Sequence, residues 1–205
     1  RMVLKSDNER ALVALVREAL REIRIELDLQ TATEEHSPAY DSQANGMIES
    51  TVKDIKNHCR TLKICLERQI GHEIPIDAEV MTWLIEYSCF ITNARRKGED
   101  GHTAWTRCRG RPFRQRLVGF GETVLYKLPT RGPQHDAAGN LAVRWRQGVF
   151  LGYSRDSNSY IVNDEGVTKT SRALMRRPEQ SRWNHELIEG IKSTPWEWSI
   201  RAGEG

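Results

Sequence analysis

The sequence predicts a mixed α/β chain, helical through its first hundred residues and β-rich beyond them. Apolar residues recur every three or four positions in three segments before Gly98, which is the helical period. After Gly101 they fall instead into short runs separated by turn residues, the texture of strands. Charge divides at the same place. Residues 1–100 carry 14 Lys and Arg against 18 Asp and Glu, a balance of −4, while residues 101–205 carry 17 against 10, a balance of +7, for the net +3. A basic half joined to an acidic half suits contact with a polyanion through the second half, with a solvated basic surface as the plainer reading.

The first elements follow in order. "MVL" is a short apolar strand, and in "SDNERALVALVREALREI" Ser6 and Glu9 have capping-box spacing. Leu12, Leu15, Val16, Ala19, Leu20 and Ile23 then predict an amphipathic helix ending near Arg21 to Arg24. Ile23, Ile25, Leu27 and Leu29 alternate with charged or polar residues, which predicts a half-buried strand. Residues 31–45 are polar and turn-forming, with Pro38 and the pair Asn45-Gly46. In the next helix Ile48, Val52, Ile55, Cys59, Leu62 and Leu66 share one face, and Glu49, Lys53, Lys56, Arg60 and Lys63 occupy the other, with Asn45 as the N-cap candidate. A third helix is expected to bury Val80, Leu84, Tyr87 or Ser88, and Ile91, and to end before Gly98.

In the second half, "ETVLYKL", "RWRQGVFLGYS" and "SYIVND" read as strands, "RGPQHDAAGN" as a loop, and Gly166 as a turn before "VTKTSRALM". Short strands at this spacing predict a small barrel or sandwich. The expected organisation is a first part over 1–100, a β-rich basic part over 101–180, and a tail or linker over 181–205 that carries Trp183, Trp196 and Trp198 without a period.

With 38% hydrophobic and 29% charged residues the composition is that of a soluble globular protein, and no apolar run is long enough to span a bilayer. "RMVLKSDNER" lacks the apolar stretch of a signal peptide, and a chain that opens on Arg1 is expected to be a piece of a longer polypeptide. Cys59, Cys65, Cys89 and Cys108 show no zinc-binding spacing, and with Cys59 and Cys89 on apolar helical positions a reducing, intracellular setting is expected.

Asp7 follows the "MVL" strand and Glu49 lies in the first turn of its helix. Taken singly, Asp7 reads as a cap or turn residue, and Glu49 as a carboxylate favourable to the helix dipole by about 0.3–1 kcal/mol. Together they have the order (strand-end Asp, helix and strand, polar loop, helix-borne Glu) in which ribonuclease-H-type nucleases and transposases present carboxylates. Attack on a phosphodiester uses two divalent cations about 3.5–4 Å apart. Magnesium prefers hard oxygen ligands and takes one or two carboxylates from the protein. Lys53 and Lys56 lie four and seven residues beyond Glu49, on its side of the helix, and Arg60 and Lys63 extend the line. If three of these cations met phosphates, the salt slope of binding would be about −2.7.

"SDNE" and "SPAYDSQANGMIEST" resemble the second and third acidic motifs of retroviral-type integrases, most closely those of copia-type LTR retrotransposons. "ITNARRKGEDGHTAWTRCRGRPF", "LVGFGETVLYKL", "RQGVFLGYSRDSNSYIV" and "SRALM" resemble later segments of the same family in the same order. The resemblance implies the C-terminal part of a ribonuclease-H-like core followed by a small barrel-like domain. It implies that Asp7 and Glu49 bind Mg2+ or Mn2+ and that Lys53 and Lys56 meet the element's DNA end. It also implies DNA as partner, a homo-oligomer in the complete protein, and action in the nucleus on chromosomal DNA.

Around those motifs, Asn45, Gly46, Lys53, Lys56, Arg60 and Lys63 are the candidate DNA contacts of the helix, Gly46 letting DNA approach without a Cβ in the way. Arg107, Arg109, Arg111, Arg114 and Arg116 are those of the basic half. Three departures qualify the match. The family's first catalytic Asp lies well upstream, whereas six residues precede Asp7; the zinc-binding module has no counterpart; and 41 residues separate Asp7 from Glu49, a few more than usual, with Ser42 and Ala44 where the family favours Pro and Gln. Two functions follow: DNA 3′-end processing and strand transfer in the complete parent protein, or a decayed or repurposed fragment that binds nucleic acid without catalysis.

Overall fold

Strand β1 (Met2–Ser6) leads into helix α1 (Arg10–Glu26), and β2 (Ala32–His36) returns parallel to β1, Met2 opposite Ala32 through Ser6 opposite His36. Parallel neighbours need a crossover, which α1 supplies while packing on both strands. The computed structural model describes residues 2–6, 9–26, 31–36, 46–128, 143–155, 157 and 159–197. The chain divides into two compact units, Arg1–Asp54 and Ile55–Gly205, with the boundary inside helix α2 (Gly46–Ile70).

In the first unit, Val16 and Leu20 are buried and Leu12 and Ile23 half-buried, one stripe at helical spacing. Arg17 Nε donates to Glu34 Oε1 on β2 at 2.7 Å. Two expectations are corrected here. The strand expected over Ile23–Leu29 is helix as far as Glu26, because Val16, Leu20 and Ile23 extend the helical stripe and Ile25, 75% exposed, makes no second face; residues 27–30 lie outside the described residues. The polar segment expected to be turn contains β2. Ser6 is the last residue of β1, and Glu9 stands before the helix, its carbonyl accepting from Val13 N at 2.9 Å.

The second unit is built on a five-stranded antiparallel sheet: β3 (Thr123–Lys127), β4 (Trp145–Tyr153), β5 (Tyr160–Asp164), β6 (Val167–Ser171) and β7 (Leu174–Arg176), in the order β6-β5-β4-β3-β7. The three segments expected as strands, "ETVLYKL", "RWRQGVFLGYS" and "SYIVND", hold β3, β4 and β5, and "VTKTSRALM", after the Gly166 turn, holds β6 and β7. Only Arg172 and Ala173 separate β6 from β7, yet the two lie at opposite edges, so the sheet bends back on itself. At that crossing Lys127 N donates to Ala173 O (3.1 Å) and Ser171 Oγ to Lys127 O (2.9 Å). The β5–β6 turn has Glu165 and Gly166 at φ 51° and 81°, the two left-handed residues of a tight hairpin. Gly121 is needed twice over: its φ is +78°, and a Cβ there would stand 2.7 Å from a Leu66 methyl.

Helix α3 (Glu79–Arg95) packs on β4, as does the short α4 (Ala104–Arg109) on α3. Val80, Leu84, Tyr87 and Ser88 are buried as expected, Ile91 half-buried, and Trp83, Phe90 and Ala94 are buried as well. Leu66, Trp83, Leu84, Phe150 and Leu151 form the centre of the core, where each aliphatic side chain contributes about 1.5–3 kcal/mol. Phe90, Trp105, Phe113 and Tyr153 pack edge-on or stacked at 5.1–5.4 Å. After β7 a 3-10 turn (Glu179–Ser181) and helix α5 (His185–Glu189) return to this core, so residues expected as tail or linker supply buried Ile188 and Ile191. Trp83 Nε1 donates to Ser193 O at 2.7 Å. Among the described residues no helix is long and apolar enough to cross a membrane.

Candidate functional site

Helix α2 carries the first set of candidates. Glu49 is exposed in its first turn, and Lys53, Lys56 and Arg60 are exposed after it. They follow one another at four, three and four residues, a helical spacing. Arg60 Nη1 donates to Asn57 Oδ1 at 2.9 Å, which orients the guanidinium along the helix. Lys63 is used differently: its ammonium binds Glu67, which also accepts from Ile74 N at 2.8 Å and so fastens the α2–α3 connection. The hydrogen bond from Lys63, then that from Ile74, hold the Glu67 carboxyl below its ordinary value. Gly46 begins the helix, and a Cβ there would meet nothing within 4 Å among the described residues.

Asp7 and Asn45 lie outside the described residues. Among the described residues no three His, Cys, Asp or Glu side chains converge to hold a metal ion. Glu49 offers one hard carboxylate, a donor suited to Mg2+ or Mn2+.

The arginine run divides in two. Arg107 grips Asp100 with two hydrogen bonds, Nε at 2.9 Å and Nη2 at 2.6 Å, across the turn that precedes α4. The Arg107 hydrogen bonds, followed by that of His102 N, hold the Asp100 carboxyl well below the usual carboxylate range. Arg109 donates to Arg155 O and lies over the Trp105 ring at 5.4 Å. Arg111, Arg114 and Arg116 are exposed. Their segment is pinned from behind: Tyr153 OH donates to Arg116 O (2.9 Å) and accepts from Val118 N (3.0 Å), and Tyr87 OH donates to Val118 O (2.9 Å). Burial, then the Glu122 charge, pushes the Tyr87 hydroxyl up to about 12, so it stays a donor at any physiological pH.

A second basic surface was not legible as a motif. Leu128 N donates to Arg144 O at 2.8 Å, which makes Lys127 and Trp145 a pair without mutual backbone bonds, the kind whose side chains approach most closely. Two residues along, Leu125 faces Gln147 on one side and Met175 on the other. Arg177 Nη1 reaches Gln147 Oε1 at 2.5 Å. This face of β4-β3-β7 thus joins one indole to two cations, and none of these six residues is acidic. Pairing register brings Lys127 to Trp145, and sequence spacing carries no sign of it.

Two buried carboxylates hold the sheet itself. Glu122, 2% exposed, accepts from Arg176 Nε at 2.7 Å and again from its Nη2, and from Gly119 N at 3.1 Å, with Arg182 Nε 3.7 Å away. Asp164 accepts from Tyr126 OH (2.6 Å) and Lys169 Nζ (2.9 Å). Burial alone would raise the Asp164 carboxyl, but the hydrogen bonds of Tyr126 and Lys169 outweigh it and leave it lowered. No family model matches the chain, and no curated protein matches it.

Proposed function

We propose that this chain is the C-terminal part of a ribonuclease-H-like integrase core followed by a small barrel-like domain, acting in DNA integration. The observation that carries the reading is the β1–α1–β2 parallel unit followed by a helix with Glu49 in its first turn and Lys53, Lys56 and Arg60 exposed beyond it. Asp7 comes directly after the residue that ends β1. Asp7 and Glu49 would hold Mg2+ or Mn2+, with a further Asp supplied by the preceding polypeptide. The metal pair would stabilise charge on the attacking and leaving oxygens during 3′-end processing and strand transfer.

The residues of the chain have positioning roles. Lys53, Lys56 and Arg60 seat phosphates along α2, and Gly46 leaves the helix start open to a close backbone. Arg111, Arg114 and Arg116 serve the basic half, whereas Lys63, Arg107 and Arg109 first serve the fold through Glu67, Asp100 and the Arg155 carbonyl. The proposed partners are the element's DNA ends and target DNA, met as a homo-oligomer in the nucleus.

The test is strand transfer with Mg2+ or Mn2+ by a polypeptide extended to include the missing Asp. Glu49→Gln is expected to abolish transfer and to leave DNA binding in place. Undiminished transfer by that variant refutes the assignment. A second reading, a nucleic-acid-binding fragment without catalysis, is favoured by the Lys127–Trp145 face, which needs no metal. It predicts salt-sensitive binding of single strands that is indifferent to Mg2+ and weakened about tenfold or more by Trp145→Ala.

A further inference from the structure

The connection between α2 and α3 and the helix α5 border an open cavity of about 420 Å³, within the range of small-ligand pockets. Its floor is apolar: Ile74, Val80, Ile188 and Ile191 line it, and all four are buried in the core. Its rim is acidic. Among the described residues Glu73, Asp77, Glu79 and Glu189 line it against the single ammonium of Lys192. His72 and His185 complete the rim with ring centroids 5.5 Å apart, and His72 Nε2 lies 3.4 Å from Glu189 Oε1.

Two further features suit a peptide. Ala78, Glu79 and Val80 put the first turn of α3 in the cavity wall, and Ala78 gives that turn no side-chain cap. Ala78 N and Met81 N already donate to Pro75 O (3.2 Å) and Ala78 O (2.9 Å), so it is the amides of Glu79 and Val80 that would meet a peptide carbonyl. Ile76 stands 86% exposed on the same connection, beside the mouth, and extends the apolar surface outward.

We infer that this cavity is a docking site for a basic, apolar peptide segment of a partner protein, taking a Leu- or Ile-sized side chain on the isoleucine floor and a flanking Arg or Lys at the carboxylate rim. Charge complementarity selects the partner: four carboxylates against one ammonium disfavour an acidic segment or a nucleic-acid phosphate by like-charge repulsion. The site does not use the charged side of α2 and stands whether or not the chain acts on DNA.

The probe is acetyl-Leu-Arg-Leu-Arg-amide, titrated into the full chain carrying labelled isoleucine methyl groups, with acetyl-Leu-Glu-Leu-Glu-amide as the control. Saturable shifts are expected at Ile74, Ile188 and Ile191 with the basic peptide and none with the acidic one. Glu79→Gln/Glu189→Gln, which leaves the floor intact, is expected to weaken binding about fivefold. The proposal is overturned if the basic peptide leaves those methyls unmoved, if both peptides shift them equally, or if the double variant binds as tightly as the native chain.

Discussion

Replacing Arg176 by Met strands the Glu122 carboxylate in the core. In the native chain that carboxylate is 2% exposed and held by both nitrogens of the Arg176 fork, while Arg176 itself is 27% exposed. After the substitution it keeps Gly119 N and the more distant Arg182. Removing one partner of a buried pair costs about 3–5 kcal/mol, and the two surviving contacts put the expected loss at the lower end, about 3 kcal/mol. Urea unfolding of a small domain has a slope of about 2 kcal/mol per molar, so the midpoint is expected to fall by about 1.5 M. Adding Glu122→Gln removes the stranded charge and is expected to restore about 1–2 kcal/mol. A midpoint shift below about 0.5 M for Arg176→Met, or a double variant less stable than the single, would refute the account.

Three other outcomes follow from contacts already described. Glu67 is a carboxyl with a depressed folded value, so its contribution is present above the unfolded value and lost as pH falls through the folded one. Thermal melts are expected to show Glu67→Gln less stable by about 1 kcal/mol at neutral pH, with the gap closing below about pH 4. If the chain binds DNA as proposed, Lys53→Ala/Lys56→Ala/Arg60→Ala is expected to flatten the salt dependence of that binding by about 2.7 in log–log slope, measured by fluorescence anisotropy; an unchanged slope removes α2 from the proposed interface. Glu165→Asn relieves a left-handed position in a two-residue turn and is expected to raise stability by about 0.5–1 kcal/mol, outweighing the loosened Arg146 contact at 3.6 Å.

Helix α3 and strands β3 to β5 could be read from the sequence because each buries a consistent face or run, and α2 could be read by its period although Ile48 and Val52 of its apolar face are exposed. The last turn of α1 could not: Ile23 and Ile25 alternate with charged neighbours, and only Val16 and Leu20 behind them decide that the period is helical. Strand β2, "ATEEH", has no apolar alternation at all and owes its state to pairing with β1, a case of tertiary context overriding propensity. Charge was legible in amount but not in use. Arg107 and Arg116 look alike in a basic run, and only the turn that brings Asp100 within 2.6 Å separates a structural guanidinium from an exposed one.

The placement of β7 has a consequence for synthesis. Glu122 and Arg176 meet across 54 residues of chain, and β3 has no neighbour on that side until the third-from-last segment of the sheet unit emerges. Throughout that interval the nascent protein displays a strand edge rich in Val, Leu and Tyr, the sort of template on which a second copy aligns. A chain halted before Leu174 keeps that edge for good. The three residues of β7 therefore act as a terminator: they cover the longer β3 and leave at that edge a strand too short to serve as a good template for a second copy.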